Sequence, residues 1–115
     1  MLTCSIVSVN VTRFKSFVES SAVLSDNVTL SYPINFTGPV RLLYIQSSDA
    51  PQYVIAKGSR VESNYTAKIT TSVDGTSQEY NMTIYNVLLD DAGWYVYIED
   101  SDSAFAHPVF LSVHG

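Results

Sequence analysis

The chain predicts an all-β fold of two packed sheets. Three observations carry that reading. Apolar and polar residues alternate over short segments, turn-forming residues separate those segments at sandwich spacing, and no window holds a helical period of about 3.6 residues. At 115 residues the chain reads as one domain spanning 1–115, long enough to bury a core without metal or disulfide staples. It opens on Met1-Leu2-Thr3-Cys4, with neither the charged nor the apolar region of a signal peptide, and stops within two residues of its last apparent strand. Both ends read as those of a piece excised from a longer protein.

Each element follows from local pattern. Residues 5–9 and 15–19 alternate as a split edge strand, and residues 27–32 form the next strand, closed by Pro33. Residues 40–46 form a third strand. Residues 47–51 turn the chain into another at 52–57, with room for a short strand near 59–62. Residues 65–71 and 79–85 form a hairpin whose turn is Asp74-Gly75, and residues 94–99 and 109–113 supply the last two strands. There are no repeats, linkers or low-complexity tracts.

Composition narrows the function. A net charge of -5, with six Lys and Arg scattered along the chain, leaves no basic stripe for nucleic acid and no polybasic anchor for anionic lipid. Apolar runs are a few residues long, against the roughly 20 that span a bilayer, so this domain makes no direct membrane contact. The single cysteine, Cys4, points to a lone thiol or to a partner outside the chain. Five sequons, at Asn10, Asn27, Asn35, Asn64 and Asn81, each with Thr two residues on, point to the secretory route and N-glycosylation.

Catalytic chemistry finds no footing. His107 and His114 have no nucleophile in a recognisable arrangement, and Asp90 and Asp91 are sequence neighbours that cannot face one another as an acid/base pair. Glu99-Asp100-Ser101-Asp102 lacks the glycine and terminal glutamate of a calcium loop. We expect no enzyme activity, no cofactor and no metal.

Three segments carry a resemblance. Asp91-Ala92-Gly93-Trp94-Tyr95-Val96-Tyr97, led in by Met82-Thr83-Ile84-Tyr85-Asn86-Val87, resembles the D-x-G-x-Y-x-C strand of an immunoglobulin domain with Tyr97 at the cysteine. Val28-Thr29-Leu30-Ser31-Tyr32 resembles V-T-L-x-C with Tyr32 at the other cysteine. Leu42-Leu43-Tyr44-Ile45-Gln46 places Tyr44 where that family has its core tryptophan. The chain thus resembles an immunoglobulin V-type sandwich with Greek-key connections, in which Tyr32, Tyr44 and Tyr97 substitute for the usual core pins and no disulfide joins the sheets. In the family's lettering the segments run A, A′, B, C, C′, C″, D, E, F and G. The resemblance implies that Tyr95 makes a tyrosine corner and that Asp91 makes an ion pair, for which Lys68 and Arg60 are the candidates. Sandwiches without these pins include the distal domains of the allorecognition (Alr) proteins of colonial hydroids. They also include the distal domains of lymphocyte adhesion and signalling receptors, with their viral mimics.

Alternation then assigns a working face. If Tyr95 and Tyr97 point into the sandwich, Trp94, Val96 and Ile98 point out of it, and Leu43 and Ile45 join them from the neighbouring strand. Adding Tyr53 (or Ile55, according to register) and Phe110 gives an exposed apolar field on the outer G-F-C-C′ sheet. No sequon falls on those strands, so sugars would shield the opposite sheet. The outward positions of the F segment carry no arginine, which disfavours a sialic-acid lectin. The expectation is an extracellular recognition or adhesion module, the ectodomain of a single-pass surface protein, that binds a like domain through this sheet, with Trp94 as anchor and a homodimer as the pairing unit. A different immunoglobulin-type partner is the alternative, and a face covered by another part of the intact protein is the structural one.

Overall fold

The computed structural model describes residues 17–34, 39–47, 50–99 and 105–115. The strand expected at 5–9, Cys4, the acidic run after Glu99, and the sequons at Asn10 and Asn35 lie outside them. The strands are β1 (Val18–Val23), β2 (Val28–Pro33), β3 (Val40–Ile45), β4 (Gln52–Lys57), β5 (Arg60–Val61), β6 (Ile69–Asp74), β7 (Glu79–Ile84), β8 (Gly93–Glu99) and β9 (Phe105–His114). They build a six-stranded sheet in the order β1-β9-β8-β3-β4-β5 and a three-stranded sheet in the order β2-β7-β6. β1 runs parallel to β9, and every other pair is antiparallel. This is an immunoglobulin-like sandwich, with β4 and β5 added at one edge of the larger sheet. The described residues contain no helix long and apolar enough to cross a membrane.

Local sequence explains most of the layering. β2 and β7 alternate cleanly, sending Leu30, Tyr32, Tyr80, Met82 and Ile84 between the sheets and Thr29, Ser31, Asn81 and Thr83 to the outside. The expected segment at 65–71 starts later: Ser63–Tyr65 closes a 3-10 turn, and β6 begins at Ile69. The hairpin after Asp74 is longer than the two-residue turn expected at Asp74-Gly75. Asp74 accepts bonds from the Thr76 and Ser77 amides, and Gln78 takes a left-handed φ of 56° before β7 resumes. The last strand begins at Phe105 rather than 109, because β8 offers partners from Gly93 through Glu99. The edge strand expected at 15–19 is seen at Val18–Val23.

Gly93 is a position where glycine is obligatory. Its φ is 144°, and a Cβ there would lie 2.8 Å from Tyr44 Cε1 and 3.0 Å from the Ile45 carbonyl oxygen. The Gly93 backbone therefore lies against the Tyr44 ring at the entry to β8.

Candidate recognition face and its tyrosine core

Tyr32 from β2 and Tyr97 from β8 meet between the sheets where an immunoglobulin domain has its cystine. Their rings stack with centroids 5.5 Å apart and an interplanar angle of 17°. Tyr80 tilts against Tyr97 at 5.4 Å, and His107 closes the far side at 5.8 Å. Tyr32, Tyr80 and Tyr97 are buried almost completely. Offset aromatic packing of this kind contributes about 0.5–1.5 kcal/mol per pair beyond area burial.

Buried phenols need acceptors, and backbone carbonyls supply them. Tyr32 Oη donates to the Tyr95 carbonyl at 2.9 Å, and Tyr80 Oη to the Gly58 carbonyl at 2.7 Å. Tyr44, at the tryptophan position, packs on Tyr95 at 4.9 Å and donates to the Ala92 carbonyl at 2.6 Å, with Asp90 O at 3.1 Å. Tyr95 Oη donates to the Asp91 carbonyl at 2.6 Å, closing the corner before β8. Asp91 accepts from Lys68 Nζ at 2.9 Å and from the Leu88 amide at 2.7 Å. Burial raises the pKa of Tyr32 and of Tyr95, and burial followed by the Glu99 carboxylate pushes Tyr97 up to about 12.

The opposite side of the six-stranded sheet holds a second apolar layer. Register lines up Val54, Leu43, Val96 and Pro108 in one cross-strand row, Ile45, Trp94 and Phe110 in a second, and sets Ile98 beside Ala106. Trp94 meets Phe110 edge-on at 5.1 Å and Phe17 at 4.7 Å. Two expectations about this face need correction. Leu43, Ile45, Val96 and Ile98 are 1, 2, 0 and 0% exposed, so they form a closed cluster and not a bare field. Trp94, Phe110 and Val54 are half-buried at its margin. Tyr53 is also not on this face. Register pairs Val54 with Leu43 and Tyr53 with Tyr44, so Tyr53 points to the other side, 48% exposed. A bulge opposite Leu42/Leu43 then leaves both Ile55 and Ala56 in the intersheet core and brings Lys57 opposite Arg41.

The structure also revises the picture of scattered cations. Arg41 pairs with Lys57 and Lys57 with Arg60, so three of the six cations form one cross-strand row at an edge of the outer face. Arg41 is half-buried and engaged within the chain, whereas Lys57 and Arg60 are exposed. No residue spacing along the chain foretells this row, because bulge and hairpin create it together.

The described sequons lie around the other sheet. Asn81 stands on the outer face of β7, its Oδ1 accepting from Ser31 Oγ at 2.6 Å. Asn27 is exposed just before β2, where its Oδ1 accepts the Asn86 amide at 3.0 Å. Asn64 is exposed in the 3-10 turn and not at the start of a strand. Among the described residues, no group of three or more His, Cys, Asp and Glu is disposed to hold a metal ion.

No protein-family model matches the chain, and no curated protein matches it in sequence. Solved structures do match. The RIG-5 IG1 domain, solved as a homodimer, superposes with a TM-score of 0.74 at 20% identity, over 90% of this chain and 95% of that one. The ZIG-8–RIG-5 IG1–IG1 heterodimer gives 0.69 at 14% identity, over 88% of this chain and 85% of that one. Such identities establish a shared fold: this chain is an immunoglobulin-like domain, built without a disulfide.

Proposed function

We propose that the chain is an extracellular, glycosylated recognition module of V-type architecture, the ectodomain of a single-pass surface protein. It pairs with a second copy of itself through the outer face of the six-stranded sheet. The observation that carries this reading is the aromatic margin of that face: Trp94 and Phe110 are only half-buried, beside a second apolar layer that lies outside the sandwich core. The likeness to a domain solved as a homodimer supports it. Because Leu43, Ile45, Val96 and Ile98 are closed off, the contact atoms belong to the margin: Trp94, Phe110, Val54 and the charged groups beside them. Tryptophan is enriched among residues that dominate interface energies, and Trp94 is the anchor.

Sedimentation of the glycosylated protein over a wide concentration range tests the proposal, with a Trp94→Ala sample alongside whose circular dichroism confirms the fold. Dimers that form with concentration and are lost in Trp94→Ala are the expected result. Monomers at every concentration would overturn self-pairing. A second reading, pairing with a different immunoglobulin-type domain by the same face, is favoured by the likeness to a domain in an IG1–IG1 heterodimer. It predicts a monomer that binds such a partner through Trp94.

A further inference from the structure

Cations directly opposite one another on neighbouring strands repel, and such pairs lower stability. The row Arg41, Lys57 and Arg60 places three within about 10 Å, taking strands about 4.8 Å apart. The chain as a whole carries eleven Asp and Glu against six Lys and Arg. Arg41 is engaged within the chain, and the exposed Lys57 and Arg60 beside it present a basic corner on an acidic domain, which a carboxylate from a partner would complement.

Among the described residues, the outer face has one matching feature. Among the described residues, the acids borne by strands of the six-stranded sheet are Glu19 and Glu99, and Glu99 is buried. Glu19 is exposed on β1, registered with Phe110 and turned to the same side, where it lines a shallow groove with Phe110 and Ser112. β1 and β5 are the two edges of this sheet. Glu19 stands at the level of Ile45 through Phe110 and Trp94, and Arg60 at the level of Arg41 through Lys57. Acid and cations therefore occupy opposite corners, separated along the strands by about 13 Å for the four residues from Arg41 to Ile45.

We infer that the Lys57–Arg60 corner of one copy receives the Glu19 corner of a second copy, and the reverse, about a two-fold axis that crosses the face perpendicular to the line joining the corners. The inference rests on the self-pairing proposed above and adds its orientation. In a two-fold interface each contact occurs twice, so the two corners satisfy each other reciprocally. An axis that laid row on row would set like charges together, which costs several kcal/mol. A long polyanion fits less well. With a screening length of about 8 Å it would feel these cations only briefly and then run over the apolar face toward Glu19, on a chain of net charge -5.

Charge reversal tests this with the full chain. Glu19→Lys alone, and Lys57→Glu with Arg60→Glu alone, should each weaken self-association at least about tenfold while leaving the circular dichroism unchanged. An equal mixture of the two variants should pair again, because both contacts are then opposite in charge. Wild-type dimers with unaffected variants would overturn the orientation while self-pairing stands. A wild-type monomer would overturn both. Binding of a sulfated heparin oligosaccharide, lost in the Lys57/Arg60 variant, by a chain whose self-association ignores these charges would assign the corner to a glycan and overturn the inference.

Discussion

Tyr97→Ala removes the ring at the centre of the intersheet cluster. The side chain is 1% exposed and touches Tyr32, Tyr80 and His107, so truncation leaves a cavity that four rigid strands cannot collapse. Large aromatic-to-alanine changes in cores cost about 3–5 kcal/mol. Stability of about 0.05–0.15 kcal/mol per residue gives the 115-residue chain about 6–17 kcal/mol, so the variant stays folded with much of its margin gone. At roughly 4 °C per kcal/mol the midpoint should fall by roughly 12–20 °C. Tyr32→Ala should cost a similar amount, and the double variant less than the sum by about 0.5–3 kcal/mol, because each ring is the other's partner. Urea unfolding followed by tryptophan fluorescence measures all four proteins. Run with and without reductant, it should give the same wild-type curve, since a chain with one cysteine has no internal disulfide to lose. A loss under about 1 kcal/mol for Tyr97→Ala, against the core range, would refute the stacked pair as the structural substitute for a cystine. So would strict additivity.

Two more outcomes follow from the same core. Gly93→Ala forces a Cβ to within 2.8 Å of Tyr44 Cε1 at a left-handed φ, so thermal unfolding should show a loss of at least about 1–3 kcal/mol; an unchanged midpoint would mean the β8 entry differs from the one described. Because burial and Glu99 raise Tyr97 to about 12, the unfolded chain releases that proton first. Stability should therefore hold below the ordinary phenol pKa of about 10 and fall as pH rises toward about 12. A urea midpoint flat across that window would contradict the burial of the phenol.

The charge row and the closed outer cluster show where one-dimensional reading stops. Lys57 and Arg60 are separated in sequence by Gly58 and Ser59, which suggests only a turn. Their alignment with Arg41 depends on the bulge opposite Leu42/Leu43, a local change in residue count that no alternation pattern encodes. Tyr53 left the face expected for it through register alone, since the hairpin pairs it with the inward Tyr44. Exposure is likewise a property of what lies over a strand. β8 reads as alternating, with Tyr95 and Tyr97 on one side and Trp94, Val96 and Ile98 on the other, yet both sides are buried along most of its length.

Sequence alone determined the class of this protein. Period-two patterning, the Asp91-to-Tyr97 motif and tyrosines at the pin positions specify an all-β sandwich without a cystine, because side-chain direction along a strand is a local property. Only the tertiary structure decided which rings meet, which carbonyls satisfy them, that Asp91 takes Lys68, and that three distant cations share one corner. Those are contacts between strands, and they depend on register, bulges and layer packing, which the chain settles only when all its strands are assembled together.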